Sequence, residues 1–442
     1  MQNVKPETVS IATAKPNPGW YVVIVCMLAY LFSFIDRQIL SLLIGPIQKD
    51  LGISDTQFGL LSGLAFAIFY AIMGLPIATL ADRKSRPLII TIGIIVWSLA
   101  TMACGVVRGF TQLFIARVLV GAGEAALTPA TYSLISDLFP KDKLGRAVAV
   151  YSIGSFLGAG MAFLIGGWVI GLVTHSGLTS IAGLTFKPWQ LVFIIVGLPG
   201  MLLGLLVLTT IKDPRAAEGK SAVETPPFLA VLRFLYDNKG IFLPHIAGYT
   251  FAAMALYALL GWAPAYLMRT FGLSPAQSGV WLGAVALVAG GGGCLTSGWL
   301  MDWMTRKGVI AAPFWTGIIG AAGTVIPAAL LPMAHSTVEG ATLLGVAMFF
   351  ASFPMPPSTA VVQIAAPARL RSRVSAVFIC CNSLIGLALG TLIIGMLNDQ
   401  LFHSPKAVGA SVAIVAASSA LLSAVILLAG VKPFRQFVTK LN

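Results

Sequence analysis

Long apolar runs alternate along this chain with short polar breaks. Most runs are near the roughly 20 residues that a helix needs to cross the hydrocarbon of a bilayer. In order they cover about 20–45, 56–81, 87–106, 111–138, 144–173, 189–211, 241–269, 276–304, 310–333, 338–365, 370–401 and 407–431, twelve in all. None shows the short alternation of an outer-membrane barrel strand. The Gly and Pro inside them are tolerated in lipid when neighbouring helices re-satisfy the backbone. The pattern predicts an all-α membrane protein with twelve transmembrane helices.

The breaks are uneven. Residues 1–19 are polar, contain Pro6, Pro16 and Pro18, and read as a disordered tail with no signal peptide. The longest break, 212–240, mixes Lys212, Asp213, Arg215, Glu218, Lys220, Glu224, Arg233, Asp237 and Lys239 with Pro226-Pro227. That is a linker composition. It separates a six-helix bundle at 20–211 from a second at 241–431, and 432–442 forms a closing tail.

The bundles are repeats. A shift of 220 residues aligns Gly52, Ser54, Gln57, Gly59, Gly63, Leu80, Asp82 and Arg86 with Gly272, Ser274, Gln277, Gly279, Gly283, Leu300, Asp302 and Arg306. A shift of 227 aligns Pro129, Pro140 and Arg146 with Pro356, Pro367 and Arg373. Two parallel six-helix repeats make a transporter architecture with its substrate site near mid-membrane between them.

Composition agrees. Of the 442 residues, 57% are hydrophobic and 10% charged, against about 25% charged in a soluble domain. The net charge of +13 does not indicate nucleic acid, because 21 of the 28 Lys and Arg lie in the tails and in the loops on the side of the termini. That asymmetry puts both termini in the cytoplasm. Short loops without Asn-Xaa-Ser/Thr acceptors point to a bacterial inner membrane. The five cysteines lie in apolar runs without metal-ligand spacing and read as packing residues. His175, His245, His335 and His403 form no metal pair, and no metal or cofactor is expected. There is no Walker loop, so ATP is not expected to drive the protein.

Four charges stand out. Asp36 and Glu124 are the acids deep in apolar runs, and Arg37 and Arg117 the bases. A charge at mid-membrane costs at least about 2.5–3.5 kcal/mol, so such groups face a cavity and find partners. Arg117 and Glu124 are seven apart and share a helix face. At 1.5 Å per residue they lie roughly 9 and 20 Å deep, and Asp36 and Arg37 roughly 24 Å up from the opposite side. Asp36 is therefore expected to meet Arg117, and Arg37 to reach toward Glu124. A carboxyl whose burial and arginine contact change during a cycle gains and loses a proton. Proton coupling is the functional reading; a permanent salt bridge between the first and fourth helices is the alternative.

The motifs resemble a known family. Ala78-Thr-Leu-Ala-Asp82-Arg83-Lys84-Ser85-Arg86 is similar to the helix 2–3 loop signature of the major facilitator superfamily, with Ala78 and Ser85 at usual glycine positions. Gly298-Trp-Leu-Met-Asp302 with Arg306-Lys307 repeats it, and Arg117 to Glu124 resembles that superfamily's helix 4 signature. Asp36-Arg37, Gly121-Ala-Gly123-Glu124-Ala125, Arg371-Ser-Arg373-Val-Ser-Ala376 and Asn382 to Gly390 narrow the resemblance to Spinster-like members. The anion:cation symporters are the nearest competitor. The resemblance implies the twelve-helix major facilitator fold and, for Spinster-like members, proton-coupled export of lysolipids and sphingoid phosphates.

Asp82, Arg83, Arg86, Asp137, Arg146, Asp302 and Arg373 sit at helix ends on the side of the termini. They are expected to form a cytoplasmic gate, with Asp82 facing the positive end of helix 11 and Asp302 facing helix 5. The alternative is a set of solvated topology charges. The second bundle has no deep charge and offers Tyr249, Tyr257, Trp262, Phe349, Phe350, Met355 and Asn382. A charged half facing an apolar half suits an amphipathic anion, its head toward Arg37 and its tail among aromatics. The expectation is a monomeric proton-coupled transporter of a lysolipid- or sphingolipid-like anion, with a small-anion symporter as the rival. An enzyme would need a clustered nucleophile, base or metal set, which is not found; a receptor would need larger loops.

Overall fold

A computed structural model of the chain describes residues 19–177, 180–181, 184–215, 228–367 and 369–441. The expected disordered tail lies outside the described residues except for Gly19. Twelve helical spans follow in order. The first six are α1 Gly19–Leu42, α2 Asp55–Gly74, α3 Arg86–Cys104, α4 Phe110–Leu138, α5 Lys143–Ser176 and α6 Pro188–Thr210. The second six are α7 Lys239–Phe271, α8 Pro275–Arg306, α9 Ala312–Met333, α10 Thr337–Ala365, α11 Arg371–Leu401 and α12 Pro405–Lys440. The even number brings both ends of the chain to one face, called here the termini face; the opposite one is the far face. Two residue pairs, β1 Ser180–Ile181 and β2 Leu184–Thr185, form a small antiparallel hairpin between α5 and α6 that the apolar pattern did not predict.

The repeat seen in the sequence is a repeat of helix-entry geometry. Gly52 (φ 63°) and Gly272 (φ 71°) take the left-handed conformation that ends the preceding helix, where a side chain would be strained. Two residues on, Ser54 and Ser274 each accept a hydrogen bond from the backbone of Gln57 and Gln277. Each glutamine side chain returns the bond to its serine's N–H, completing a capping box. Thus α2 and α8 start by the same device.

Small residues then let helices touch. A Cβ on Gly123 of α4 would lie 2.7 Å from the Trp97 nitrogen and 2.9 Å from the Gly93 carbonyl of α3. Only a bare backbone fits such a crossing. The α4 helix breaks at Ala125–Ala126, directly after Glu124. Wide π-turns interrupt α2 at Leu60–Leu64, α8 at Ala286–Gly290 and α11 at Asn382–Leu389. Such turns recur at functional sites, and these three helices border the seam between the halves.

That seam is closed on the far face. A Cβ on Gly59 of α2 would lie 2.8 Å from the Thr391 carbonyl of α11. A Cβ on Gly167 of α5 would lie 2.9 Å from the Ala276 carbonyl of α8. On the termini face, Asp302, Arg306 and Arg146 are exposed. The molecule is sealed at one end.

Candidate functional site

The four deep charges gather inside the first bundle. Asp36, Arg117 and Glu124 are buried, and Arg37 keeps a tenth of its side-chain surface open. Arg37 Nη2 donates to Glu124 Oε2 at 2.6 Å, joining α1 to α4. Ser33, one turn below Arg37, donates its hydroxyl to the same oxygen at 2.6 Å. Arg117 does not reach the Asp36 carboxylate as the sequence suggested; its Nη1 donates to the Asp36 peptide oxygen at 3.3 Å. Asp36 Oδ1, Glu124 Oε1, Arg37 Nε and Arg117 Nε and Nη2 have no hydrogen-bond partner among the described residues. Trp97 Nε1 and Thr101 Oγ1 of α3 face the Asp36 carboxyl without closing a full hydrogen bond, and Ser98 Oγ has no partner among the described residues. Buried polar groups are normally satisfied by protein or water, so this cluster has capacity for protons, water or a bound anion.

Arg37 lies against the faces of three aromatics. Its guanidinium carbon is 4.2 Å from the Phe66 ring centre, 4.7 Å from Phe34 and 5.5 Å from Tyr70. Stacked guanidinium is held by the ring quadrupoles as well as by Glu124. At the sealed end above it, Phe34, Arg37, Gln38 and Ser41 of α1 and Ser62 of α2 meet Tyr257, Leu260 and Gly261 of α7 and Leu387 and Thr391 of α11. The space they enclose is about 20 Å³, room for about one water. A larger crevice of about 360 Å³ opens on the far-face flank between Leu43, Ile170, Trp189 and Pro275, and holds none of the four charges.

The expected substrate contacts divide. Tyr257 lines the enclosed space with Arg37. Asn382 begins the π-turn of α11, half-buried, with Oδ1 unpartnered. Tyr249 and Trp262 are instead packing residues: Tyr249 is buried and donates to the Pro313 carbonyl at 2.9 Å. Trp262, also buried, donates to the Thr391 carbonyl at 3.0 Å. Phe350 packs with Phe349 and Phe353, ring centres 5.3 and 5.5 Å away, and Met355 is exposed. His245 is buried, its Nε2 2.8 Å from the Ser358 carbonyl.

The expected gate residues divide as well. The side chains of Asp82 and Arg83 lie outside the described residues. Arg86 is fully buried and serves its own half: it pairs with Asp137 at 2.6 Å and with Asp213 at the end of α6. Arg215 also reaches Asp137, at 2.8 Å. Asp302 and Arg146 are exposed and Arg373 half-buried.

Among the described residues, an ionic bridge joins the halves that was not anticipated. Asp55, at the start of α2, receives both arms of Arg269 from α7, at 2.7 and 2.7 Å. Gln48 and Asn398 donate to the same carboxylate at 2.6 and 2.7 Å. Asp399 of α11 accepts from the Thr56 N–H at 2.7 Å. The sequence pattern attaches no role to Asp55 or Arg269, because the partners are 214 residues apart. A weaker signal existed for the cavity: Ser33, Arg37 and Ser41 recur every fourth residue on α1, as Ser62, Phe66 and Tyr70 do on α2.

Twelve spans in two repeats, sealed at one end around buried charges, define a membrane transport protein. The chain belongs to the Major Facilitator Superfamily, whose sequence profile matches residues 26–391. Within it the resemblance is to the Spinster type. The fold matches a bacterial homologue of the human lysosomal transporter Spinster, solved inward-facing and unoccupied. The TM-score is 0.77 and the identity 26%, over 96% of this chain and 98% of that one. An MFS-type efflux pump of Mycolicibacterium smegmatis is 30% identical over 93% of this chain and 92% of that protein. A probable L-galactonate transporter of Escherichia coli is 26% identical, over 80% and 79%.

Proposed function

We propose that the chain is a proton-coupled secondary transporter of an organic anion, working by alternating access and held here with its cytoplasmic side open. The observation that carries this reading is Arg37: a stacked, slightly open guanidinium whose counter-ion, Glu124, can take a proton. With Glu124 ionised, the pair is neutral and has little attraction for an anion. Protonation of Glu124 frees one positive charge at the cavity wall, and the anion takes the carboxylate's place. Proton and anion then move as a neutral load, which avoids the cost of an uncompensated buried charge. Asp36 lies one layer behind and can hold the proton on its carboxyl, with Arg117 beside it as a fixed cation. The reverse exchange uses the same groups.

The aromatic and aliphatic walls given by Phe34, Tyr257, Leu260 and Leu387 support an amphipathic anion such as a lysolipid or sphingoid phosphate. A second reading, a small polyhydroxy acid, is favoured by one observation: Gln38, Ser41 and Ser62 from one half and Tyr257 from the other bring polar groups to the sealed end. The galactonate-type relative points the same way. Localisation in a bacterial inner membrane with both termini cytoplasmic, and a monomeric state, complete the proposal.

Purified protein in proteoliposomes tests it by counterflow of labelled lysolipid and of labelled sugar acid at pH 6 and 8. The expected result is uptake driven by a pH gradient in wild type. Glu124→Gln should retain exchange and lose the response to the gradient. Gradient-driven uptake surviving in both Glu124→Gln and Asp36→Asn would reject the coupling. Competition by only one substrate class decides between the two anions.

A further inference from the structure

The segment between the halves, expected to be a plain linker, ends in a helix, Phe228–Asp237. It is apolar on two opposite sides. Val231, Phe234 and Leu235 face the protein, where they join a core with Phe242, Phe378 and Phe434. The Phe234 and Phe242 ring centres are 5.3 Å apart. Leu229, Leu232, Arg233 and Tyr236 share the other face and are exposed, Leu229 by 75% and Tyr236 by 69%. A helix bordering water carries polar residues on its outer face; this one carries two leucines and a tyrosine.

Its position says what covers that face. One residue, Asn238, separates it from α7, which starts at Lys239. Leu243, one turn into α7, is 67% exposed on the outside of a membrane span. The hydrocarbon boundary therefore lies within about one 5.4 Å turn of the helix. Cations surround it. Arg233 and Lys239 are exposed, and the Lys239 ammonium lies 4.8 Å from the Tyr236 ring centre. Exposed Lys432 and Arg435 stand beside Pro433, which approaches Gly240. Asp237 is the one exposed acid among the described residues 228–240.

We infer that helix Phe228–Asp237 is an interfacial anchor that binds anionic bilayer lipid, its Leu229–Leu232–Tyr236 face sunk at the acyl boundary and Arg233 and Lys239 on the headgroups. Apolar insertion beside a basic fringe is the combination that gives such a helix preference for negatively charged membranes. The anchor also touches α11 through Phe378, so the lipid surface is mechanically joined to a helix that borders the seam.

The test uses the full chain in nanodiscs of phosphatidylcholine with and without phosphatidylglycerol, with Cys294, Cys380 and Cys381 replaced by alanine. A nitroxide is attached at Leu229→Cys or Tyr236→Cys. Collisions with oxygen are expected to exceed those with an aqueous nickel chelate, more so with phosphatidylglycerol. Arg233→Gln and Lys239→Gln, which leave the buried face intact, should each raise the half-saturating phosphatidylglycerol fraction about fivefold. Nickel collisions dominating in both lipids would overturn the anchor. So would spin–spin broadening that disappears on dilution with unlabelled protein, because the face would then meet a second copy. Counterflow activity of the same samples reports separately on the transport proposal.

Discussion

Asp55 and Arg269 meet fork to fork across the two halves of the molecule, 2.7 Å at each arm, at the sealed end. Both are largely buried, with side-chain exposures of 2% and 15%. The geometry is that of a latch: it forms when the far-face ends of α2 and α7 come together and has to break when they part. Asp55→Asn keeps the shape and removes the charge, leaving Arg269 opposed only by amides. Truncating one partner of a buried, hydrogen-bonded charge pair costs about 2–5 kcal/mol. The population with an open far face should therefore rise roughly thirtyfold or more. Spin-label distances between the α1–α2 and α7–α8 loops should lengthen; an unchanged distribution would show that the pair does not govern closure.

Arg37→Lys preserves the positive charge and discards the planar fork that stacks 4.2 Å from Phe66. If the guanidinium holds the anion, KM for the transported substrate should rise roughly ten- to thirtyfold, while protein yield and melting temperature stay near wild type. A KM within twofold of wild type would remove Arg37 from the substrate's path.

The spans and the deep charges were legible in the sequence because membrane burial restricts composition so strongly. Twelve apolar runs can be counted, and two acids and two bases inside them cannot be overlooked. The pairing of Arg37 with Glu124 followed from depth alone. What depth could not provide was rotation about each helix axis, which decides that Tyr249 and Trp262 turn into packing while Gln38 and Ser62 turn into the cavity. The latch escaped because Asp55 and Arg269 sit at loop edges where charge is ordinary. Only the approach of α2 to α7 gives the pair meaning. The helix at 228–237 was hidden by a charge-rich, proline-containing neighbourhood.

Two glycines separate conformational effects from stability. Gly59 packs against α11 across the seam, where an added methyl would come within 2.8 Å of the Thr391 carbonyl. Gly123 packs against α3 inside one bundle, where the same methyl would come within 2.7 Å of the Trp97 nitrogen. Gly59→Ala should wedge the far face apart and shift the protein toward its other state, with a small change in melting temperature. Gly123→Ala has no such escape and should lower stability by about 1–3 kcal/mol, the usual cost of overpacking. Thermal melting combined with cross-seam distances measures both, and equal destabilisation by the two substitutions would contradict the division.

The Arg86 clamp yields a prediction about pH. Burial pushes the Asp213 carboxyl up, but hydrogen bonds from the Arg86 side chain and from the Arg86 and Arg215 backbones outweigh it and hold the group below the usual carboxylate range. A carboxyl depressed by folding contributes stability above its unfolded value of about 3.9. That contribution is lost as pH falls through the lower, folded value. Asp213→Asn should lower the melting temperature at pH 7, by the equivalent of about 2 kcal/mol for bonds to a charged partner, and flatten the decline expected below about pH 4. Between pH 5 and 8 Asp213 stays ionised, so the pH profile of transport should be the same in Asp213→Asn and wild type. A shifted profile in that window would make the clamp part of proton coupling, and Glu124 and Asp36 would no longer suffice to explain it.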